Sequence, residues 1–166
     1  MRRMIFVAAA LLALSGGGTL AAAQILRVPP ILRVGPRGVP PLPITIEGLQ
    51  ADMVAKSGSD TVYFAGSGYG LDAAAQATLA AQARWLLANP EVRARIEGHA
   101  DERSPRDYAL AIGERRASAV HDYLVLLGVP AEQLTTISWG KERPAVAGTS
   151  DMALALNRRA STVLMR

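Results

Sequence analysis

The pattern of hydrophobic and polar positions changes period several times along the chain, and each change marks an element. Thr61-Val62-Tyr63-Phe64 is β-branched and aromatic and runs into the turn-rich Gly66-Ser67-Gly68-Tyr69-Gly70, which predicts a strand that ends there. Beyond Asp72, a helix-capping residue, Leu79, Ala83, Leu86 and Leu87 recur at helical spacing until Asn89-Pro90 stops the run. Val92-Arg93-Ala94-Arg95-Ile96-Glu97 alternates with period two, the mark of a strand with one buried face, and Gly98 ends it. Ser104-Pro105-Arg106-Asp107 supplies a hydroxyl cap, a first-turn proline and a carboxylate three residues after the serine. A helix is therefore expected from there to just before Gly128 and Pro130. Leu134 to Trp139 reads as a third strand, Asp151 to Leu156 as a short helix and Ser161 to Met165 as a last strand. The order β-α-β-α-β-α-β predicts an α+β fold, a mixed sheet with helices packed on it in two layers.

The helix after Ser104 carries the most informative position. At 100° per residue, Tyr108, Ile112, Ala119, Val120, Tyr123 and Leu127 form one apolar stripe, while Glu114, Ser118, His121 and Asp122 fall opposite. Arg116 sits in the middle of that stripe and Arg115 points outward. A buried guanidinium cannot shed its charge, so a carboxylate is expected beside Arg116. Asp101, which leaves the second strand just before this helix, is the best-placed acid. The pair admits two readings: a structural ion pair tying loop to helix, or an anionic and a cationic group on one cleft wall that take a zwitterionic ligand.

Before Ser57 the composition is different. Arg2-Arg3, the apolar run Met4 to Leu14 and the small residues Ala21-Ala22-Ala23 read as a signal peptide, residues 1–23, cleaved after Ala23. The run is too short to span a membrane, so no transmembrane anchor is expected in the mature chain. Residues 24–56 hold prolines at 29, 30, 36, 40, 41 and 43 and are expected to be an extended tether, in which Ile25-Leu26-Arg27-Val28 recurs as Ile31-Leu32-Arg33-Val34. The folded domain is expected over 57–166.

Charge narrows the partners. The full chain has 18 basic and 14 acidic residues, but from Ser57 onward there are 12 of each, so the surplus belongs to the N-terminal segments. A nucleic-acid module carries its excess on the folded face, and none is expected here. The absence of cysteine removes disulfides, thiolate zinc sites, cysteine nucleophiles and a thioether lipid anchor. His99, Asp101 and Glu102 crowd one loop, but His121 is not placed to join them, and no G-x-S-x-G elbow occurs. No metal, cofactor or catalytic residue is assigned. Trp85 falls opposite its helix's apolar stripe and reads as a candidate protein contact. Asn157-Arg158-Arg159 is either a basic cluster on the ligand side or a turn tying the last helix to the sheet.

Four separated blocks carry a resemblance. They are Gly98-His99-Ala100-Asp101-Glu102-Arg103, then Tyr108 with Gly113-Glu114-Arg115-Arg116-Ala117, then Ser138-Trp139-Gly140-Lys141-Glu142-Arg143-Pro144-Ala145-Val146, then Asn157-Arg158-Arg159-Ala160. In order and spacing the chain resembles the OmpA-like peptidoglycan-binding domain family, and within it the peptidoglycan-associated lipoprotein branch. It departs from that family at Ala100, Ser104 and Ala109 and lacks the branch's lipidated cysteine. The resemblance implies a non-catalytic domain that grips the diaminopimelate of peptidoglycan stem peptides. Asp101 would meet the ligand ammonium and Arg116 its carboxylate, with Ile112 and Ala65 beside them. It also implies a periplasmic protein associated with the cell wall or outer membrane, with the propeller protein of the Tol system as a possible partner. The alternative is a scaffold whose Asp101-Arg116 pair is purely structural.

Overall fold

A computed structural model describes residues 45–165. The expected signal peptide and the proline-rich stretch up to residue 44 lie outside the described residues. Eight elements follow in order: α1 (Ile46–Ser57), β1 (Thr61–Tyr63), α2 (Ala73–Ala88), β2 (Arg93–His99), α3 (Arg106–Leu126), β3 (Leu134–Gly140), α4 (Asp151–Asn157) and β4 (Arg159–Met165). A short 3-10 turn, Ala131–Gln133, leads into β3. The four strands form one mixed sheet in the order β1-β4-β2-β3, with β4 antiparallel to both neighbours and β2 parallel to β3.

The sheet is covered on one face. In β4 the buried positions are Ala160, Thr162 and Leu164, and the residues between them are half-exposed on the other side. The main core joins Val62, Leu79, Leu86, Ala94, Ile96, Val120, Leu124 and Leu164 between sheet and helices. A second, smaller cluster holds only Ala100, Ala109 and Ile112. Helix α2 begins where its sequence says it should, with the Asp72 carboxylate accepting from Ala75 N at 2.8 Å.

Helix α1 departs from expectation, because it occupies part of the segment read as extended tether through Lys56. The last proline of that stretch is Pro43, and Thr45 Oγ1 then caps the helix by accepting from Gly48 N at 3.1 Å. Gly58, at φ +83°, closes it. Ile46, Leu49 and Met53 lie at helical spacing and face the main core, with Met53 wholly buried. Gln50 fixes α1 to β4: its amide donates to Thr162 O at 2.9 Å and its carbonyl oxygen accepts from Leu164 N at 2.9 Å.

That missed helix also corrects the reading of Trp85. The indole is buried, and its Nε1 donates to Asp52 of α1 at 2.7 Å, so it is an internal contact and not a surface one. A further difference lies at the start of α3. Pro105 is the N-cap and no side chain caps the helix, so Ser104 does not form the expected capping box. Helix α3 is also rolled relative to the stripe read from sequence. Its buried residues are Ala109, Ile112, Gly113, Arg116, Ala117, Val120 and Leu124, a face turned by about 50°. Tyr108 thereby emerges half-exposed.

Candidate functional site

Three glycines let α3 settle onto the ends of β2 and β3. A Cβ on Gly98 would fall within the Gly113 carbonyl, and one on Gly113 would lie 2.9 Å from Gly98 O. A Cβ on Gly140, where φ is +50°, would come within 2.9 Å of Leu110 N. Ser138 Oγ adds a hydrogen bond from β3 to Leu110 O at 2.7 Å. This close approach sets the site's dimensions, since Asp101 follows Gly98 by three residues and Arg116 follows Gly113 by three.

Asp101, Ile112 and Arg116 line one cleft of about 200 Å³, together with Gly66, Ser67, Ala100, Arg103, Ser104, Tyr108 and Arg158. Ala65 stands next to this wall without lining it; its carbonyl accepts from Gly68 N at 3.0 Å and closes the turn that presents Gly66 and Ser67.

Arg116 is 1% exposed. Its partners correct the expected ion pair. Nε donates to Gly68 O at 3.0 Å, Nη1 to His99 O at 2.7 Å and Nη2 to Gly66 O at 2.9 Å. The guanidinium also lies 5.3 Å from the centre of the Phe64 ring. The glycine-rich loop after β1 thus supplies backbone oxygens where a carboxylate was expected. Burial pushes the Arg116 pKa down to about 10, Asp101 opposes that shift and Arg158 adds to it, so the group stays charged at neutral pH.

Asp101 instead pairs with Arg158, whose Nη1 donates to Oδ2 at 3.2 Å. Arg158 Nε is anchored on Phe64 O at 3.2 Å, and Arg103 N donates to the other carboxylate oxygen at 3.3 Å. The cluster Asn157-Arg158-Arg159 therefore divides between its two readings. Asn157 is buried and ties α4 to the preceding loop through Ala145 N and Val146 O, each at 2.8 Å, whereas Arg158 belongs to the cleft. Sequence reasoning had no means of telling them apart, because alternation along β4 places only residues within the strand. Tyr108, read as core, is another cleft residue that the pattern hid.

His99 occupies the floor behind the cleft, 2% exposed, with its carbonyl on Arg116. Burial and then the nearby Arg159 push its pKa down to about 4 against the pull of Glu97, so the ring is neutral at pH 7.

The OmpA family model matches residues 63–158, from β1 to the residue that closes α4 and lines the cleft. The chain belongs to the OmpA family. Within that family it is 47% identical over 117 residues to the peptidoglycan-associated lipoprotein of Rhizobium meliloti, covering 70% of this chain and 66% of the relative. It is 47% identical over 105 residues to the peptidoglycan-associated lipoprotein of Brucella melitensis, covering 63% and 62%. The chain thus spans 62% to 66% of the length of these curated relatives. The crystal structure of the peptidoglycan-associated lipoprotein from Burkholderia pseudomallei superposes with a TM-score of 0.64 at 38% identity, covering 65% of this chain and 92% of that one. The C-terminal domain of Helicobacter pylori MotB shares the OmpA-like fold at 19% identity and a TM-score of 0.61, over 64% of this chain and 84% of that one.

Proposed function

We propose that the chain is a non-catalytic binding protein of the bacterial cell envelope that holds the diaminopimelate side chain of peptidoglycan stem peptides in the Asp101–Arg116 cleft. One observation carries this reading. Three of the five N–H groups of the Arg116 guanidinium serve backbone carbonyls, which fixes its plane and leaves two for a ligand at a cleft wall. A ligand carboxylate fits there. Asp101, held by Arg158 and Arg103 N, keeps acceptor capacity for an ammonium, and Ile112 and Ala100 offer an apolar surface to the methylenes between the two charges.

Local complementarity has to do the recognising. With 12 basic and 12 acidic residues from Ser57 onward, the domain has no net field to draw in a polyanion. Lysine at the same stem position lacks the terminal carboxylate and would leave Arg116 unmatched, which is the kind of defect that gives large discrimination. The reading places the mature protein in the periplasm after removal of residues 1–23, in association with the wall or outer membrane.

The test is co-sedimentation of the mature protein with purified sacculi. Retention on diaminopimelate-type wall, release by free diaminopimelate and much weaker retention on lysine-type wall are expected. Asp101→Ala and Arg116→Ala should each weaken retention roughly ten- to a hundredfold. Circular dichroism of both variants is the control, because Arg116→Ala also strands three carbonyls. Equal retention on both wall types would sink the mechanism. Failure to pellet with either, together with capture of a Tol-type propeller protein, would favour the scaffold reading, in which the Asp101–Arg158 pair serves the fold alone.

A further inference from the structure

A second concavity adjoins the cleft. It is lined by Tyr69, Ala111, Glu114, Arg115, Ser118, Ala119 and Asp122, about 760 Å³ in volume. Its helical residues recur at i, i+3, i+4, i+7, i+8 and i+11, so they form a continuous stripe of α3 about 16 Å long. The same two elements wall both sites. Tyr108, Ile112 and Arg116 of α3 face the cleft where Ala111 and Arg115 face the groove, and the loop after β1 gives Gly66 and Ser67 to one and Tyr69 to the other.

We propose that this groove is a subsite for an N-acetylated aminosugar of the same wall strand, resting on the diaminopimelate reading above. The lining favours a neutral, hydroxyl-rich ligand with one apolar face. Ala111, Ser118 and Ala119 keep the floor low. Tyr69 is 48% exposed and is steadied by Arg115, whose guanidinium lies 5.8 Å from the ring centre. An aromatic face with a polar tip suits the C–H face of a pyranose, and the carboxylates of Glu114 and Asp122 with Ser118 Oγ suit its hydroxyls. A second acidic stem peptide fits poorly, since two carboxylates outnumber the one arginine. A partner helix lacks apolar anchors on this floor.

The reach also agrees. From Ile112 in the cleft to Ser118 in the groove is about 9 Å along the helix axis. The sugar precedes diaminopimelate by two residues of stem peptide, and two to three extended residues cover about 7 to 10 Å. Covalent linkage makes the second contact intramolecular, so a sugar too weakly held to bind alone still adds to the affinity of the peptide that carries it.

The experiment compares, by titration calorimetry on the mature chain, a diaminopimelate tripeptide with the same tripeptide on its disaccharide. The disaccharide form is expected to bind about five- to tenfold more tightly. Tyr69→Ala, and independently Ala111→Trp, which fills the groove from an exposed position, should remove that increment and leave tripeptide affinity unchanged. Equal affinity for the two ligands in the wild type, or an increment that survives both substitutions, overturns the subsite. Absence of tripeptide binding with retained, Tyr69-dependent binding of the disaccharide form would overturn the diaminopimelate reading and support the subsite. No binding of either ligand would overturn both.

Discussion

Helix α3 meets the sheet in two different ways along its length. Toward its C-terminal end Ala117, Val120 and Leu124 sink into the main core, where aliphatic side chains from α2, β2 and β4 fill the space. Toward its N-terminal end Gly113 rests on Gly98, Leu110 on Gly140, and the apolar cluster shrinks to Ala100, Ala109 and Ile112. The difference teaches that one helix has two duties: burial holds it at one end, and close backbone approach aims it at the other. Arg116 lies at the changeover, fully buried yet bonded to carbonyls from the loop after β1 and from β2.

The comparison breaks most sharply at the aliphatic end. Leu124→Ala should lower unfolding free energy by about 2 to 5 kcal/mol in urea titrations, with ligand affinity of the folded fraction unchanged. Gly98→Ala attacks the other end. The added methyl has no room, so a loss of about 1 to 3 kcal/mol is expected, and here binding to sacculi should fall with it, because Asp101 and Arg116 are pushed apart. Affinity that survives Gly98→Ala would separate the close approach from the cleft. Arg158→Ala sharpens the contrast, removing a partly buried partner of Asp101: sacculus retention should drop about tenfold, with unfolding shifted by about 1 kcal/mol.

Acid probes the buried ring behind the cleft. The His99 pKa is held below its unfolded value, so the unfolded chain binds the proton more readily than the native one. The stability this contributes is fully present above about pH 6.5 and is lost as pH falls toward 4. The expected loss over that window is roughly 1 to 3 kcal/mol, and His99→Gln, which keeps the carbonyl for Arg116, should flatten the profile. An unchanged pH profile in that variant would show that another group titrates there.

The contrast between the two ends also explains what was legible in the sequence. Helix α2 and strands β2 and β3 were readable to within a residue or two, since period and cap residues are local signals. Helix α1 was hidden by the prolines before it, although Ile46, Leu49 and Met53 keep helical spacing, and missing it turned Trp85 outward. Asp101 and Arg116 were legible as charges that must share a region. Their actual partners were not, because a backbone carbonyl leaves no trace in composition, and nothing in the sequence Gly66 to Gly70 says which carbonyls turn toward the guanidinium. The roll of α3 has a similar origin: Gly98 and Gly113 set it, and a hydrophobic stripe counts neither.

The grip of Gln50 on β4 has a mechanical side. A ligand anchored in the cleft loads α3 and β2, and through the antiparallel ladder it loads β4, which sits inside the sheet. A pull on the chain N-terminal to Thr45 arrives at the other end of that line through α1. Between them stand the buried side chains of α1, the hydrogen bond that Trp85 donates to Asp52, and the two that Gln50 makes by donating to Thr162 O and accepting from Leu164 N. Any load applied N-terminal to Thr45 therefore meets the packing of α1 and its bonds to α2 and β4 before it meets the sheet.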